Sequence, residues 1–83
     1  MHNRLLKELG ERLQKRRQEL GLSQEELCER IEMNRTYLSD IERGIGNVSI
    51  LLLFKLSKAL RMELSTLLRG IEQAVDSVDT KRM

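Results

Sequence analysis

The amino-acid sequence predicts an all-α protein with five helices in a single domain. The 83 residues include no proline, and residues that favour helices, such as Leu, Glu, Lys and Arg, are abundant. Apolar residues also recur at helical spacing in several segments. A chain of this length forms one modest core, which association with a second copy would supplement.

The first helix is predicted over about residues 4 to 20. Five leucines fall on one stripe of this helix at helical spacing: Leu5, Leu6, Leu9, Leu13 and Leu20. Gly21 is expected to end it, because glycine readily adopts the left-handed conformation found after a helix.

The second helix is predicted to begin at Ser23, which is an N-cap residue. Glu26 follows three residues later and completes a capping box, and Leu27 and Ile31 form an apolar pair four residues apart. This helix is therefore short, at about eight residues.

A third short helix is predicted from the cap Asn34 to Gly44, after a tight turn at residues 32 and 33. Leu38 and Ile41 lie on its apolar side. Its opposite side is polar and consists of Arg35, Thr36, Ser39, Asp40 and Arg43.

Ser49 is expected to cap a fourth helix with the sequence ILLLFKLSKAL. The fifth helix begins at Leu64 or Ser65 and continues through TLLRGIEQAV, with Gly70 as its weakest point. The predicted domain spans residues 1–83 with a core of 4–78, and the polar residues 79–83 are expected to be a disordered tail.

Composition excludes several classes of protein. The one cysteine, Cys28, excludes an internal disulfide, and with His2 as the one histidine there is no metal-binding cluster or Cys-His catalytic pair. No apolar run approaches the about 20 residues of a membrane span, and no signal peptide is recognisable. The sequence predicts a cytoplasmic protein that is not an enzyme and has no cofactor, membrane partner or small-molecule ligand.

Charge alone does not identify the partner. The net charge is +2 and the pI is about 9.0, which is only mildly basic. Residues 23–44 hold six acidic and three basic side chains. Any binding of an anion there must depend on specific groups rather than on a general basic patch.

The polar side of the third helix has two interpretations. Such sides are usually just solvated. However, two short helices joined by a tight turn form a helix-turn-helix unit, whose second helix fits the major groove of DNA, about 12 Å wide. Arginine, threonine, serine and aspartate are also side chains that contact base edges or phosphates.

Residues 9–68 closely resemble the Cro/C1 or XRE-type helix-turn-helix family of DNA-binding regulators. The motifs that carry the resemblance are GLSQEEL, YLSDIERG and LSKAL. NRTYLSDIERGIGNVS looks most like the controller proteins of restriction-modification systems. The resemblance implies a lambda-repressor-like DNA-binding domain.

The resemblance also implies roles for individual residues. Gln24 would meet the DNA backbone and brace the third helix. The base-reading positions are Arg35, Thr36, Ser39 and Asp40, and Arg43 and Asn47 are candidates for contacts with the DNA backbone. Tyr37 could place its hydroxyl on a phosphate or pack against the edge of the core, and the sequence leaves both open.

Arg17 and Glu42 match positions that form a structural ion pair between the first and third helices of this family. The chain departs from the family pattern at three positions. Glu32 stands where a turn glycine is common, Arg16 replaces an apolar residue, and Gly46 stands where controller proteins often carry a basic residue.

Surplus apolar surface predicts a homodimer. Ile50, Leu53, Leu56 and Leu60 are expected to fill the core stripe of the fourth helix, so other apolar residues are left over. The predicted dimer interface consists of Leu51, Leu52, Phe54, Leu68, Ile71 and Val75, in stripes that also include Leu67 and Val78. The alternative is that the C-terminal segment folds back over these residues.

The leading hypothesis is a transcriptional regulator that binds double-stranded DNA as a homodimer on a palindromic operator. The alternative is an antitoxin or another protein-interaction module built on the same fold. The short segment after residue 68 favours the regulator, since antitoxins often carry an additional segment for their partner.

Overall fold

The computed structural model describes residues 3–75, and this part of the chain is helical. Its helices are α1 (Arg4–Glu19), α2 (Gln24–Ile31), α3 (Arg35–Glu42), α4 (Ile50–Ala59), α5 (Leu64–Leu68) and α6 (Ile71–Ala74). The predicted all-α fold class is confirmed. Val78 and the predicted tail at 79–83 lie outside the described residues.

The starts of α1 to α4 follow from polar side chains that satisfy free backbone amides. Ser23 and Glu26 form the predicted capping box: the Ser23 hydroxyl accepts from the Glu26 amide at 3.0 Å, and the Glu26 carboxylate accepts from the Ser23 amide at 2.8 Å. Asn34 and Ser49 cap α3 and α4 with one hydrogen bond each, accepted from the amides of Tyr37 and Leu52. The three predicted caps are confirmed.

The fifth predicted helix is divided into α5 and α6 at Arg69 and Gly70. Gly70 has φ +65°, a left-handed conformation that interrupts the helix and that glycine adopts without steric cost. The break turns α6 so that it packs against α1, while α5 packs against both α1 and α4.

One apolar core joins all six of these helices. Its buried members are Leu9, Leu13, Leu22, Leu27, Cys28, Leu38, Ile41, Leu53, Leu56, Leu60, Leu67, Ile71 and Val75. A fully buried leucine contributes about 1.5–3 kcal/mol, so this cluster is the main source of stability. None of the helices in the described part of the chain is long and apolar enough to cross a membrane.

Gly10 allows α1 and α3 to approach each other closely. A Cβ atom at this position would lie only 2.6 Å from the carbonyl oxygen of Glu42, well inside van der Waals contact. Any larger residue would therefore push α3 away from α1. This contact fixes the depth at which α3 is seated on the core.

Two positions expected in the core lie at the surface. Ile50 is 64% exposed and Leu5 is 36% exposed. Both residues lie in the first turn of a helix, and side chains of a helix tilt toward its N-terminus. These two side chains therefore point past the end of the core, and the prediction that Ile50 fills the core stripe is wrong.

Candidate nucleic-acid interface

The helices α2 and α3 form a helix-turn-helix unit. Each contains eight residues, and residues 32–34 join them. Glu32 has φ 53° and ψ 51°, the left-handed conformation that a glycine would adopt more easily. The departure from the family glycine at this position therefore does not change the turn, and the chain forms it with a glutamate.

The opposite sides of α3 have different roles. Leu38 is fully buried and Ile41 is 5% exposed, so they fasten the helix to the core. The other side carries Arg35, Thr36, Ser39, Asp40 and Arg43, which are exposed or half-buried. Together with Gln24 of α2 these five side chains line one shallow depression. We call this set of six residues the presented face.

A buried ion pair holds α3 against α1. The Nε and Nη2 atoms of Arg17 donate to the two carboxylate oxygens of Glu42 at 2.7 and 3.0 Å, and Nη1 donates to the Leu22 carbonyl at 2.8 Å. The hydrogen bond to Glu42 raises the pKa of Arg17 above its usual value. The expected pair is present, and its fork geometry fixes the orientation of α3.

Gln24 connects this ion pair to the presented face. Its Nε2 donates to Glu42 at 3.1 Å, and its Oε1 accepts from the Arg35 Nε at 3.4 Å. A carboxylate can only accept here, so Glu42 determines which end of the Gln24 amide points toward Arg35. Gln24 thus braces α3 from the side of α2.

Tyr37 joins α3 to the loop that follows it. Its side chain is 42% exposed, and its hydroxyl donates to the Asn47 carbonyl at 3.4 Å. The Tyr37 side chain therefore lies at the surface, with its hydroxyl directed to this loop. In the same loop Gly44, at φ +77°, passes so close to the backbone of Lys7 that a Cβ would not fit.

Both arginines of the presented face have a carboxylate nearby. Arg43 Nη2 lies 2.7 Å from Asp40 Oδ1, and Arg35 Nη1 lies 3.6 Å from Glu25 Oε1. All four side chains are at least about one-third exposed, so water weakens these ion pairs. Each arginine thus has an opposite charge nearby, but the ion pair does not fix the position of its side chain.

The predicted dimer-interface residues separate into two groups. Leu51 is 61% exposed and Phe54 is 48% exposed, and with Ile50 they form an apolar patch on the first half of α4. We call these three residues the α4 patch. Lys58, one turn after Phe54, places its ammonium 5.5 Å from the centre of that ring.

The other four predicted interface residues pack within the single chain. Ile71 and Val75 are core residues, at 7% and 5% exposure, and Leu52 and Leu68 are half-buried against the core. The expectation that Ile71 and Val75 provide surplus surface is therefore wrong. The break at Gly70 folds this segment back onto α1, but it does not cover Leu51 or Phe54, so the alternative that the C-terminal segment folds back over all the predicted interface residues is met only for its own apolar side chains.

Two arginines of α1 have structural roles that the sequence analysis missed. Arg16 donates to the carbonyls of Leu60 and Arg61 at 2.9 and 3.2 Å, at the end of α4. Arg12 donates to the carbonyls of Leu67 and Arg69 at 3.0 and 2.7 Å, at the end of α5. Two features of the sequence point to these roles. The two arginines are four residues apart and so lie on one side of α1, and Arg16 replaces an apolar residue of the family pattern.

Cys28 and the acidic side chains do not form a reactive site in the described part of the chain. Burial raises the pKa of the Cys28 thiol above its usual value, which keeps it protonated. Among residues 3–75, no three His, Cys, Asp or Glu side chains are grouped so that they could hold a metal ion.

The fold and the presented face define a helix-turn-helix protein of the DNA-binding kind. The family model HTH_3, described as helix-turn-helix, matches residues 13–67. The chain belongs to this family, whose members are transcriptional regulators and not enzymes. The family predicted from GLSQEEL and YLSDIERG is confirmed.

Restriction-modification controller proteins are among its relatives. The chain is 43% identical over 65 residues to control protein C.MunI from a Mycoplasma species, covering 77% of this chain and 88% of that protein. The crystal structure of controller protein C.AhdI from Aeromonas hydrophila has a TM-score of 0.72 and 40% identity, covering 75% of this chain and 94% of that one. The controller protein C.Esp1396I, solved as a tetramer with its natural 35 base-pair operator, has a TM-score of 0.73 and 30% identity, covering 83% and 91%.

Proposed function

We propose that this chain is a restriction-modification controller protein, a homodimer that binds a palindromic DNA operator and regulates its own operon. The presented face of α3 is the observation that carries the proposal. Its side chains can donate to and accept from base edges, and the core and the Arg17–Glu42 pair hold the helix that carries them. A DNA-binding regulator acts where the DNA is, so the proposal includes a cytoplasmic location.

Arg35 is the proposed principal reader of sequence. It is the first residue of α3, its side chain is 64% exposed, and Gln24 orients its guanidinium. A guanidinium can donate two parallel hydrogen bonds to guanine in the major groove. Thr36, Ser39 and Asp40 would contact neighbouring bases, whereas Arg43, Tyr37 and Asn47 would contact phosphates at the two flanks.

The α4 patch supports the homodimer. Three adjacent apolar side chains that are 48% to 64% exposed are unfavourable in water, and a second copy would cover them. A two-fold dimer presents two copies of α3 to successive major grooves, about 34 Å apart along the duplex. Support for a DNA-bound assembly comes from C.Esp1396I, which is a tetramer on its operator.

Selection of bound duplexes from a random library tests this function. It should be carried out near physiological salt, since phosphate contacts dominate binding at low salt. The expected result is a consensus with two-fold symmetry. If folded protein enriches no sequence, the proposal fails and the fold is better explained as a protein-interaction module.

Replacing Arg35 with alanine tests the proposed reader. We expect Arg35→Ala to weaken binding to the selected site by about 1–3 kcal/mol and to relax one base position in each half-site. Lys15→Ala is the matched control, because it removes the same charge from an exposed position on α1, outside the presented face. Equal losses for the two variants, or an equal loss on random DNA, would contradict this role for Arg35.

A further inference from the structure

The presented face includes a carboxylate, Asp40, beside one of its two arginines, Arg43. Asp40 and Arg43 lie one turn apart on α3, and Oδ1 of Asp40 is 2.7 Å from Nη2 of Arg43. The Asp40 side chain is 36% exposed and the Arg43 side chain is 63% exposed. A DNA phosphate that approached Arg43 would meet a guanidinium whose near side already faces a carboxylate.

Stability does not explain an aspartate at this position. Asp40 lies in the last turn of α3, where a negative charge is unfavourable because the carbonyl ends of a helix are themselves partly negative. Within the described part of the chain, the Asp40 carboxylate accepts a hydrogen bond from Arg43. An exposed ion pair of this kind contributes little to the free energy of folding. Glu25 differs, because it lies in the first turn of α2, where an acidic side chain stabilises the helix.

A carboxylate that faces DNA discriminates between sequences. Every duplex presents the same phosphates, which repel it. In the major groove only the amino groups of cytosine and adenine can donate a hydrogen bond to it. Burying a carboxylate against any other base edge leaves it without a partner, which is costly.

We propose that Asp40 is a specificity-determining residue that lowers affinity for DNA whose base pairs place no amino group within reach of its carboxylate, and that competes with phosphates for Arg43 on such DNA. On the correct site the carboxylate accepts from the amino group of a base, and Arg43 is then released to a phosphate. This inference rests on the proposed DNA-binding function, and it adds a repulsive element to the contacts described above.

Binding to random duplex DNA at several salt concentrations tests the repulsive element. We expect Asp40→Asn to bind random duplex about fivefold more tightly than the unchanged protein. The dependence of log K on log salt should steepen by about 0.9, because Arg43 gains one phosphate contact. The control Glu11→Gln removes the same charge from an exposed position on α1, outside the presented face. If Asp40→Asn behaves like Glu11→Gln in affinity and salt dependence, the inference is overturned.

A double-mutant cycle tests whether Asp40 acts through Arg43. Arg43→Gln should reduce affinity for random duplex only slightly when Asp40 is present, because the carboxylate then competes with phosphate for Arg43. In the Asp40→Asn background the same change should reduce affinity by about fivefold and remove the additional salt dependence. Equal losses in the two backgrounds would show that the residues act independently and would overturn the inference.

These measurements are separable from the test of the proposed function. Affinity for random duplex requires no knowledge of an operator, so a change at Asp40 can be measured even if selection returns no consensus. If selection enriches no sequence, the proposed function is contradicted. If Asp40→Asn binds random duplex with unchanged affinity, only this inference is contradicted. When a consensus is found, the ratio of specific to random affinity should fall at least about fivefold in Asp40→Asn.

Discussion

Around α3 the chain buries charge, whereas along α4 it exposes apolar surface. The charged residue Glu42 is only 5% exposed and is paired with Arg17. The apolar residue Leu51 of α4, in contrast, is 61% exposed. A buried ion pair adds little net stability but requires one arrangement of the two helices that carry it. The first region thus has a fixed geometry, whereas the second leaves apolar side chains uncovered in the single chain.

The largest expected effect comes from breaking the buried pair. Glu42→Ala leaves the Arg17 guanidinium buried without a carboxylate and also removes the acceptor of Gln24. We expect the free energy of unfolding to fall by about 3–5 kcal/mol, measured by urea denaturation.

Glu8 provides the matched control for that change. It is paired with Arg12 at 2.9 Å, but both side chains are about one-quarter exposed. Glu8→Ala should cost at most about 1 kcal/mol. Comparable losses for Glu8→Ala and Glu42→Ala would mean that burial does not distinguish the region around α3.

A change in the α4 patch should affect association and leave folding intact. Leu51→Ser should weaken the dimer by about 1.5 kcal/mol per copy, because each copy loses apolar contact with its partner. Sedimentation across a range of protein concentrations measures this effect. The unfolding free energy of the monomer should stay within about 0.5 kcal/mol, since Leu51 is largely exposed in the single chain.

Leu5 is the control for surface leucines, because it is also exposed but lies at the start of α1. Leu5→Ser should leave association unchanged. If the unchanged protein remains monomeric at high concentration, or if Leu5→Ser weakens association as much as Leu51→Ser, the α4 patch is not the dimer interface.

The sequence was most informative where a local pattern determines structure. Caps at Ser23, Asn34 and Ser49 are set by side chains that reach only their own first turn, so they could be predicted without knowledge of packing. The division of α3 into a core side and a presented face follows from its helical period. The family motifs supplied the Arg17–Glu42 pair, whose partners lie 25 residues apart.

Packing between residues far apart in the chain could not be predicted from the sequence. An apolar stripe on a helix does not show whether the same chain or a second copy covers it. The sequence therefore predicts an interface role for Ile71 and Val75, whereas the turn at Gly70 buries both in the core of the single chain. Arg12 and Arg16 reach carbonyls more than 40 residues away, and no local pattern identifies such partners.

Removing one of these distant contacts should have an intermediate effect. Arg16→Gln shortens the side chain that holds the carbonyls of Leu60 and Arg61, and Arg61 is in a left-handed conformation with φ 56°. We expect a loss of about 1 kcal/mol in the free energy of unfolding. Lys15→Gln, on the exposed side of α1, should change it by less than about 0.5 kcal/mol. Equal effects would indicate that these carbonyl contacts do not anchor α4 to α1.

The smallest expected effect is a difference in pH dependence between the N-caps of α2 and α4. Hydrogen bonding from the Ser23 amide lowers the pKa of Glu26 below its ordinary value of 4.5. A lowered folded-state pKa stabilises the folded protein at pH above 4.5, and this contribution is lost as the pH falls through the folded value. The N-cap Ser49 of α4 has Leu52 in place of the glutamate, so its cap carries no such charge.

In an NMR titration from pH 6 downwards, we expect the Ser23 amide to shift with a midpoint below 4.5, and Glu26→Gln to abolish this shift. A midpoint at or above 4.5 would mean that the carboxylate does not accept this hydrogen bond in solution.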